Sequence, residues 1–453
     1  MGRMKHAFIS YCQGEDTPVA EALHRALNEA GLEVWRDEDK LRAGGRLNDG
    51  IVKGIRESFC FFSLYSKSSS RRPWVNDELE LAQRNGLPVI PLRLDDYHFT
   101  KKWKKRVGNL VYIDIFQDVD AGIKNAVSTA TDLRTKVAPI LSVLNLKGGV
   151  GKTTVAAQIG AAIQKETRGR VLLVDLDPQS NLTQLFLNTH KTEQFIDEDR
   201  SAISLFEPGQ KSGRVTSPAA DWKKIEIDRS AAIPSRDNLV VPLIKGDDPP
   251  GRLDLICGQF DLAKYSIPTE PNQLEEAQWR FSQTLSELRQ EYDLVILDTN
   301  PTLSFLTLCA HELSQHILCP IAPTRFAIRG LRILRMLRER VARSSPDRMV
   351  VLNRVERSDK PAAEFVKQLR SGDFDSIIAG VSPGAPVSDP ESPRILKTEI
   401  PASRKMKPTD RLNPNPVLSM LAHTKGLGVR PLNQKLNSLA LELIEKMGLR
   451  NGR

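Results

Sequence analysis

Cysteine is scarce in this chain, five residues in 453, and no two of them form a C-x-x-C pair. That excludes a disulfide-stapled scaffold and a cysteine-based zinc or redox motif, and Cys12, Cys60, Cys257, Cys309 and Cys319 read as buried free thiols. Long apolar runs are also missing. None approaches the ~18–20 residues of a membrane span, and Met1-Gly2-Arg3-Met4-Lys5-His6 leads straight into a strand-like run. The expectation is a cytoplasmic chain with no membrane partner. His311-Glu312-Leu313-Ser314-Gln315-His316 has its second histidine at i+5. On a helix this turns the two imidazoles apart, which excludes a zincin pair. No internal repeat is present.

What is there exceeds one hydrophobic core, so at least two domains are expected. The net charge of +9 is unevenly placed: Lys+Arg against Asp+Glu is 21 to 19 in residues 1–135, 32 to 33 in 136–392 and 12 to 4 in 393–453. A basic segment confined to one end suits a polyanion such as DNA, and equally a solvated tail.

Two series of alternating strand and helix signals flank a short polar segment at 131–136. In the first, Ala7-Phe8-Ile9-Ser10-Tyr11 reads as a strand and Thr17-Pro18 opens a helix with an N-cap hydroxyl. Further strands are expected at 59–64 and 87–92, with helices at 47–56 and 74–85. The second series begins with Pro139-Ile140-Leu141-Ser142-Val143-Leu144, apolar on both faces. A helix over 153–165 and strands at 171–175, 294–297, 316–320 and 349–352 follow, the pattern of a doubly wound parallel sheet. Residues 188–250 are polar and weakly patterned and read as an insertion or mobile lobe.

Lys147-Gly148-Gly149-Val150-Gly151-Lys152-Thr153-Thr154 lies between a strand and a helix. Glycine backbone there offers free N–H groups to phosphate oxygens, Lys152 faces the β and γ phosphates, and Thr153 places a hydroxyl on Mg²⁺. Leu146 stands where the strict phosphate-loop pattern has its first glycine, and a second lysine, Lys147, opens the loop. In this the loop resembles the deviant loop of ParA/MinD-type ATPases, and further motifs from Pro139 to Pro408 extend the resemblance. It implies that Lys147 reaches the nucleotide of the opposing subunit in an ATP-bound homodimer. Asp177, in Val174-Asp175-Leu176-Asp177-Pro178, would orient attacking water or the waters of the metal. Asp298 would stand near magnesium, Asn353 would contact adenine, and Glu399-Ile400-Pro401-Ala402-Ser403 would follow the late loop of that family.

At the N-terminus, Phe8-Ile9-Ser10-Tyr11, Glu15-Asp16, Gly31-Leu32-Glu33-Val34-Trp35-Arg36-Asp37, Leu41-Arg42-Ala43-Gly44 and Trp74-Val75-Asn76-Asp77-Glu78 resemble, as a series, a Toll/interleukin-1 receptor (TIR) domain. Independently of that likeness, at about 100° per residue Glu78 falls within the apolar arc formed by Trp74, Val75, Leu79, Leu81 and Ala82. A carboxylate there costs energy unless it is paired or faces a cleft. A salt bridge is one reading and a functional site the other. In NAD⁺-cleaving TIR domains the glutamate of the W-x-x-x-E pattern is catalytic, which carries that role onto Glu78. Tyr11, Cys12, Trp35, Arg42 and Trp74 would then line the dinucleotide. Cys12 and Gln13 stand where some of those enzymes carry arginines.

Arg329, Arg332 and Arg335 recur at a spacing of three on a helix-like run, fitting either phosphate contacts on non-specific DNA or a solvated face. The expected fold class is α/β: a small flavodoxin-like TIR domain at 1–134, a linker at 135–138 and a doubly wound, parallel-sheet P-loop ATPase domain at 139–453. The last includes the insertion near 188–250 and the basic segment 393–453. The expected function is an ATP-gated NAD⁺ hydrolase that uses ATP and Mg²⁺ and takes NAD⁺ as substrate. It would assemble as a homodimer or larger homo-oligomer, with an unidentified protein partner, as a bacterial anti-phage defence or signalling effector. The rival is a DNA-associated positioning ATPase whose TIR domain serves only for self-association.

Overall fold

The computed structural model describes residues 6–36, 49–100, 103, 111–208, 225, 233–247, 250–267, 271–324, 327–340, 346–356, 358–370, 393–403, 406 and 430–449. Arg42 and most of the basic segment between 404 and 429 lie outside them.

The first sheet has five parallel strands, β1 (His6–Ser10), β2 (Glu33–Arg36), β3 (Ser58–Tyr65), β4 (Val89–Arg93) and β5 (Ile113–Asp114), in the order β2-β1-β3-β4-β5. Every residue of β1 and β3 is buried. Helices cover both faces of such a sheet, so its inner strands read as continuous apolar runs without alternation. These helices are α1 (Thr17–Glu29), α2 (Asp49–Arg56), the single turn α3 (Lys67–Ser70), α4 (Pro73–Arg84) and α5 (Val119–Lys136). Thr17 is the first helical residue of α1, not its cap. Asp16 holds the cap position but makes no side-chain cap hydrogen bond, its carboxylate being engaged elsewhere.

The polar segment at 131–136 is the last turn and a half of α5. Ala126 and Ala130 of that helix are buried and Leu133 packs against the first core. Polar composition hid the helix because Thr131, Asp132 and Arg134 face solvent.

The second sheet has eight strands: β6 (Ile140–Val143), β7 (Arg170–Asp175), β8 (Val241–Asp247), β9 (Pro250–Ile256), β10 (Leu294–Asp298), β11 (His316–Ile321), β12 (Asp347–Val355) and β13 (Arg394–Pro401). Their order is β13-β12-β11-β6-β10-β7-β9-β8, parallel except for the antiparallel edge strand β8. Its helices are α6 (Lys152–Thr167), α7 (Asn181–Phe186), α8 (Thr189–Asp197), α9 (Pro271–Leu288), α10 (Phe305–Leu313), α11 (Ala327–Arg340), α12 (Lys360–Arg370) and α13 (Arg430–Met447).

Two expectations change here. Residues 188–250 are not wholly an unstructured lobe: they supply α8, buried Leu205 and Phe206, and β8. The basic C-terminal segment is not merely a tail. Leu432, Leu436, Leu439, Ala440 and Leu443 of α13 are buried in the main core, and α13 packs on α6 and β13. Glu442 accepts from the backbone N–H groups of Lys397 and Thr398 at 2.7 and 3.0 Å, where the register between β12 and β13 shifts.

Candidate functional site

In the second sheet the first strand, β6, lies between β10 and β11, and the chain leaves it into the 146–151 loop and then α6. Gly149 and Gly151 have φ of +74° and +87°, a region that L side chains avoid. A Cβ on Gly151 would come within 2.5 Å of Asn353 Nδ2, while nothing lies within 4 Å of one on Gly148 or Gly149. The loop is therefore packed underneath and open above, where its amides and the first turn of α6, with Thr153 and Thr154, can receive phosphate.

Two buried asparagines hold it. Asn145 donates to the Pro320 carbonyl at 2.8 Å and accepts from Lys147 N at 3.0 Å. Asn353 donates to the Val150 carbonyl at 2.8 Å and accepts from Arg354 N at 2.9 Å. Asn353 thus braces the phosphate loop, and each end of its amide keeps a second N–H or lone pair with which it could also meet a base. Lys152 is buried, with its Nζ 3.4 Å from the Lys147 carbonyl; burial lowers its pKa, opposed by the charges of Asp298 and Asp177. Lys147 Nζ reaches Thr324 Oγ1 at 3.4 Å.

Asp298 ends β10 beside Asp175 of β7. It is fully enclosed and neither carboxylate oxygen completes a hydrogen bond. Burial, with the nearby Asp175 charge, raises its pKa well above the usual carboxylate range, against the smaller effects of the neighbouring Thr153 hydroxyl and Lys152. Asp175 is likewise pushed up to about 7 by burial, although it accepts from Thr183 N and Oγ1, both at 2.8 Å, and from Asp177 N at 3.2 Å. Asp177 accepts from Gln179 N at 2.9 Å.

In the first sheet the strand order reverses at β1 and β3, the switch point outside whose carboxyl ends open α/β sheets bind ligands. Glu78 is brought to that place. It is 4% exposed on α4, and Ser10, the last residue of β1, donates through Oγ to Glu78 Oε2 at 2.6 Å. Buried Asp16 ties the loop after β1 to the end of β3, accepting from Cys12 N at 3.2 Å and Ser66 Oγ at 3.1 Å. Burial raises the pKa of Asp16 in spite of these hydrogen bonds.

A comparison with known families matches residues 7–127 to the TIR domain and residues 138–349 to an AAA domain. The protein is a TIR domain fused to a ParA/MinD-type ATPase domain. Among relatives, a putative replication protein A of Rhizobium rhizogenes is 27% identical over 78% of this chain and 78% of its own length. The sporulation initiation inhibitor protein Soj of Bacillus subtilis is 30% identical over 42% of this chain and 61% of its own. A putative plasmid partition protein of Borrelia burgdorferi, solved with AMPPNP, is 17% identical, covers 68% of this chain and 100% of its own, and has a TM-score of 0.44.

The ATPase domain fits Mg²⁺ by its own geometry. A buried carboxylate with two unsatisfied oxygens is stable only when something compensates its charge, and Asp298 stands beside Thr153 and Lys152. Among the described residues no group of three His, Cys, Asp or Glu could hold a metal unaided, so phosphates and waters would complete the shell. Asp298→Asn is accordingly expected to raise the melting temperature of the nucleotide-free protein at pH 7–8. The gain should shrink toward about pH 4, because a carboxylate whose folded pKa is raised destabilises progressively as pH rises above its unfolded value near 3.9. The same variant should lose the Mg²⁺-dependent part of the thermal shift with ATP. A variant no more stable than wild type without metal, with that part intact, would contradict the assignment.

In the TIR domain, Trp74 is half-buried in the first turn of α4, with the Arg72 guanidinium 5.2 Å from its ring. Trp35 is stacked on Phe8 at 4.7 Å and belongs to the packing around α2. Cys12 is buried and Tyr11 partly so, both at the carboxyl end of β1. In the ATPase domain Arg332 is exposed and Arg335 partly buried on α11; the Arg329 side chain lies outside the described residues. Sequence reasoning missed Ser10, Asp16, Asn145 and Asp175 as site residues. Ser10 and Asp175 each end a strand, and Asn145 lies two residues past one, in each case leading to a recognised motif, the one signal that could have found them. His311 and His316 fall in α10 and β11, and burial pushes His311 down to about 4.

Proposed function

We propose that this protein is an NAD⁺ hydrolase gated by ATP. The observation that carries the reading is Glu78, a buried carboxylate held by Ser10 at the switch point of the TIR sheet. In the reaction, the bond between ribose C1′ and the nicotinamide nitrogen breaks and its electron pair leaves with the now neutral ring. Water oxygen bonds to C1′ and releases a proton to solvent, giving ADP-ribose and nicotinamide. Positive charge builds on the ribose as the ring departs, and the Glu78 carboxylate stabilises it there; no general acid is needed.

In the ATPase domain the glycine loop and Lys152 would bind the phosphates, and Thr153, Asp177 and Asp298 would hold Mg²⁺, which neutralises phosphate charge when bound. Lys147 would cross to the second subunit of an ATP-bound dimer. Incubating the full chain with NAD⁺, with and without ATP–Mg²⁺ and DNA, and resolving products by chromatography tests the reading. Nicotinamide release raised by ATP supports it, and no release under any condition overturns it.

The exposed Arg332 and the 12 to 4 excess of basic residues in 393–453 favour a second reading, a positioning ATPase on DNA whose TIR domain self-associates. If it holds, DNA affinity falls steeply between 50 and 200 mM salt, by about 10-fold or more, as counterion release requires. Arg332→Glu weakens binding equally to unrelated sequences in a filter or anisotropy assay. Salt-independent binding, or none with ATP present, removes this reading.

A further inference from the structure

The helix that carries Glu78 ends on the ATPase domain. Gln83, 1% exposed, gives its backbone carbonyl to Gln283 Nε2 of α9 at 3.1 Å. Arg84 reaches Glu275 of α9 at 3.2 Å while also paired with Glu80 at 2.7 Å. Gly86, just past the end of α4 at φ +62°, lies so close that an added Cβ would stand 3.2 Å from the Ser282 carbonyl and 3.3 Å from Leu313 of α10.

The two helices that receive α4 flank the strand of the metal carboxylate: α9 precedes β10 and α10 follows it. They are tied to each other by Gln278 Nε2, which donates to Glu312 at 2.5 Å. Two residues beyond Asp298, Asn300 accepts from Thr307 Oγ1 at 3.0 Å and from Ser304 Oγ at 3.4 Å, fixing the start of α10 to the end of β10. The covalent connection converges on α9 as well. Ala138, between α5 and β6, donates to the Arg289 carbonyl at 3.0 Å and accepts from Arg289 Nε at 2.6 Å, and Arg289 directly follows α9.

We propose that α9 and α10 form an intramolecular docking surface that positions the Glu78 helix, and that a change of nucleotide state at the Asp298 end of β10 reaches Glu78 through it. Gln83, Arg84 and Gly86 are positioning residues in this arrangement. Its consequence for NAD⁺ cleavage rests on the function proposed above. The Arg84–Glu275 pair is half-exposed, so by itself it contributes little; the enclosed contacts of Gln83 and Gly86 supply the fit and the pair sets its sense. A route through packed elements requires a demonstrated response at its far end.

The first variant leaves α4 untouched and alters the receiving helix. Gln283→Glu sets a carboxylate against the Gln83 carbonyl, and Glu275→Arg sets a guanidinium against Arg84. In the full-length wild type, ATP–Mg²⁺ should change hydrogen exchange of the α4 amides and stimulate nicotinamide release. The double variant should bind ATP and dimerise as wild type does, yet lose the exchange response and about 5-fold or more of the stimulation, the scale of an ordinary coupling free energy.

Adding Arg84→Glu to Glu275→Arg should restore coupling by reversing the pair, which a merely damaged fold would not allow. The inference is overturned if ATP leaves α4 exchange unchanged in the wild type, or if the double variant keeps the full response. If α4 responds to ATP but no nicotinamide is ever released, the coupling stands and the NAD⁺ reading alone fails.

Discussion

Glu78→Gln is expected to lower nicotinamide release by about 100- to 1000-fold, the usual cost of removing a preorganised charge from a developing transition state. The change is nearly isosteric and leaves a group able to meet the Ser10 hydroxyl, so α4 keeps its seat and the TIR domain its stability. ATP binding should be unaffected, since the phosphate loop belongs to the other sheet. Ser10→Ala leaves the carboxylate but removes the donor that orients it. Its effect should be smaller than that of Glu78→Gln, because the charge stays in place and only its orientation is loosened. Turnover by Glu78→Gln at the wild-type rate, with an intact thermal transition, would remove the carboxylate from the chemistry.

The second large effect concerns assembly. Lys147→Ala should leave ATP affinity of the single subunit nearly unchanged but weaken the ATP-dependent dimer about 100-fold or more. Two charge-assisted contacts are lost per dimer, each contributing about 1.5–3 kcal/mol. Within one subunit Lys147 Nζ lies 3.4 Å from the Thr324 hydroxyl, a neutral group. Sedimentation velocity with ATP–Mg²⁺ reports the dimer, and chromatography of the same samples reports nicotinamide. A variant that stays monomeric yet cleaves NAD⁺ at the ATP-stimulated wild-type rate would separate the two domains functionally and end the gating proposal.

The pairing of the domains gives these results a common frame. The helix α5 runs to Lys136, and the chain then passes, pinned through Ala138, into β6. A flexible tether would let a TIR domain sample many positions, whereas a pinned connection together with a docked α4 holds Glu78 in a defined relation to β10. Dimerisation of the ATPase domain would therefore also set where two TIR domains stand.

By itself the sequence determined the features that are local in the chain. The phosphate loop needs only a strand, three glycines, a lysine and a helix in succession, and each is legible because glycine backbone and a lysine side chain act within a few residues of one another. The apolar runs at 171–175 and 294–297 likewise declared buried parallel strands, and the apolar arc around Glu78 marked a carboxylate out of place. Tertiary structure alone decided the rest. Ser10 and Glu78 are 68 residues apart, and Asn353 and Val150 are 203 apart, and no local pattern encodes such a partner. Thr17 carried a good N-cap signal, but Asp16 took the position and turned its carboxylate to Cys12 nearby and to Ser66, the second a contact that exists only once β1 and β3 are adjacent. The C-terminal helix looked like a basic tail because its charge is on the outside; its buried leucines face a core that includes α6, more than 250 residues earlier, as well as β13. Where hydrogen bonding and burial join distant segments, composition reports the exposed side of an element, and only the assembled sheet shows the other.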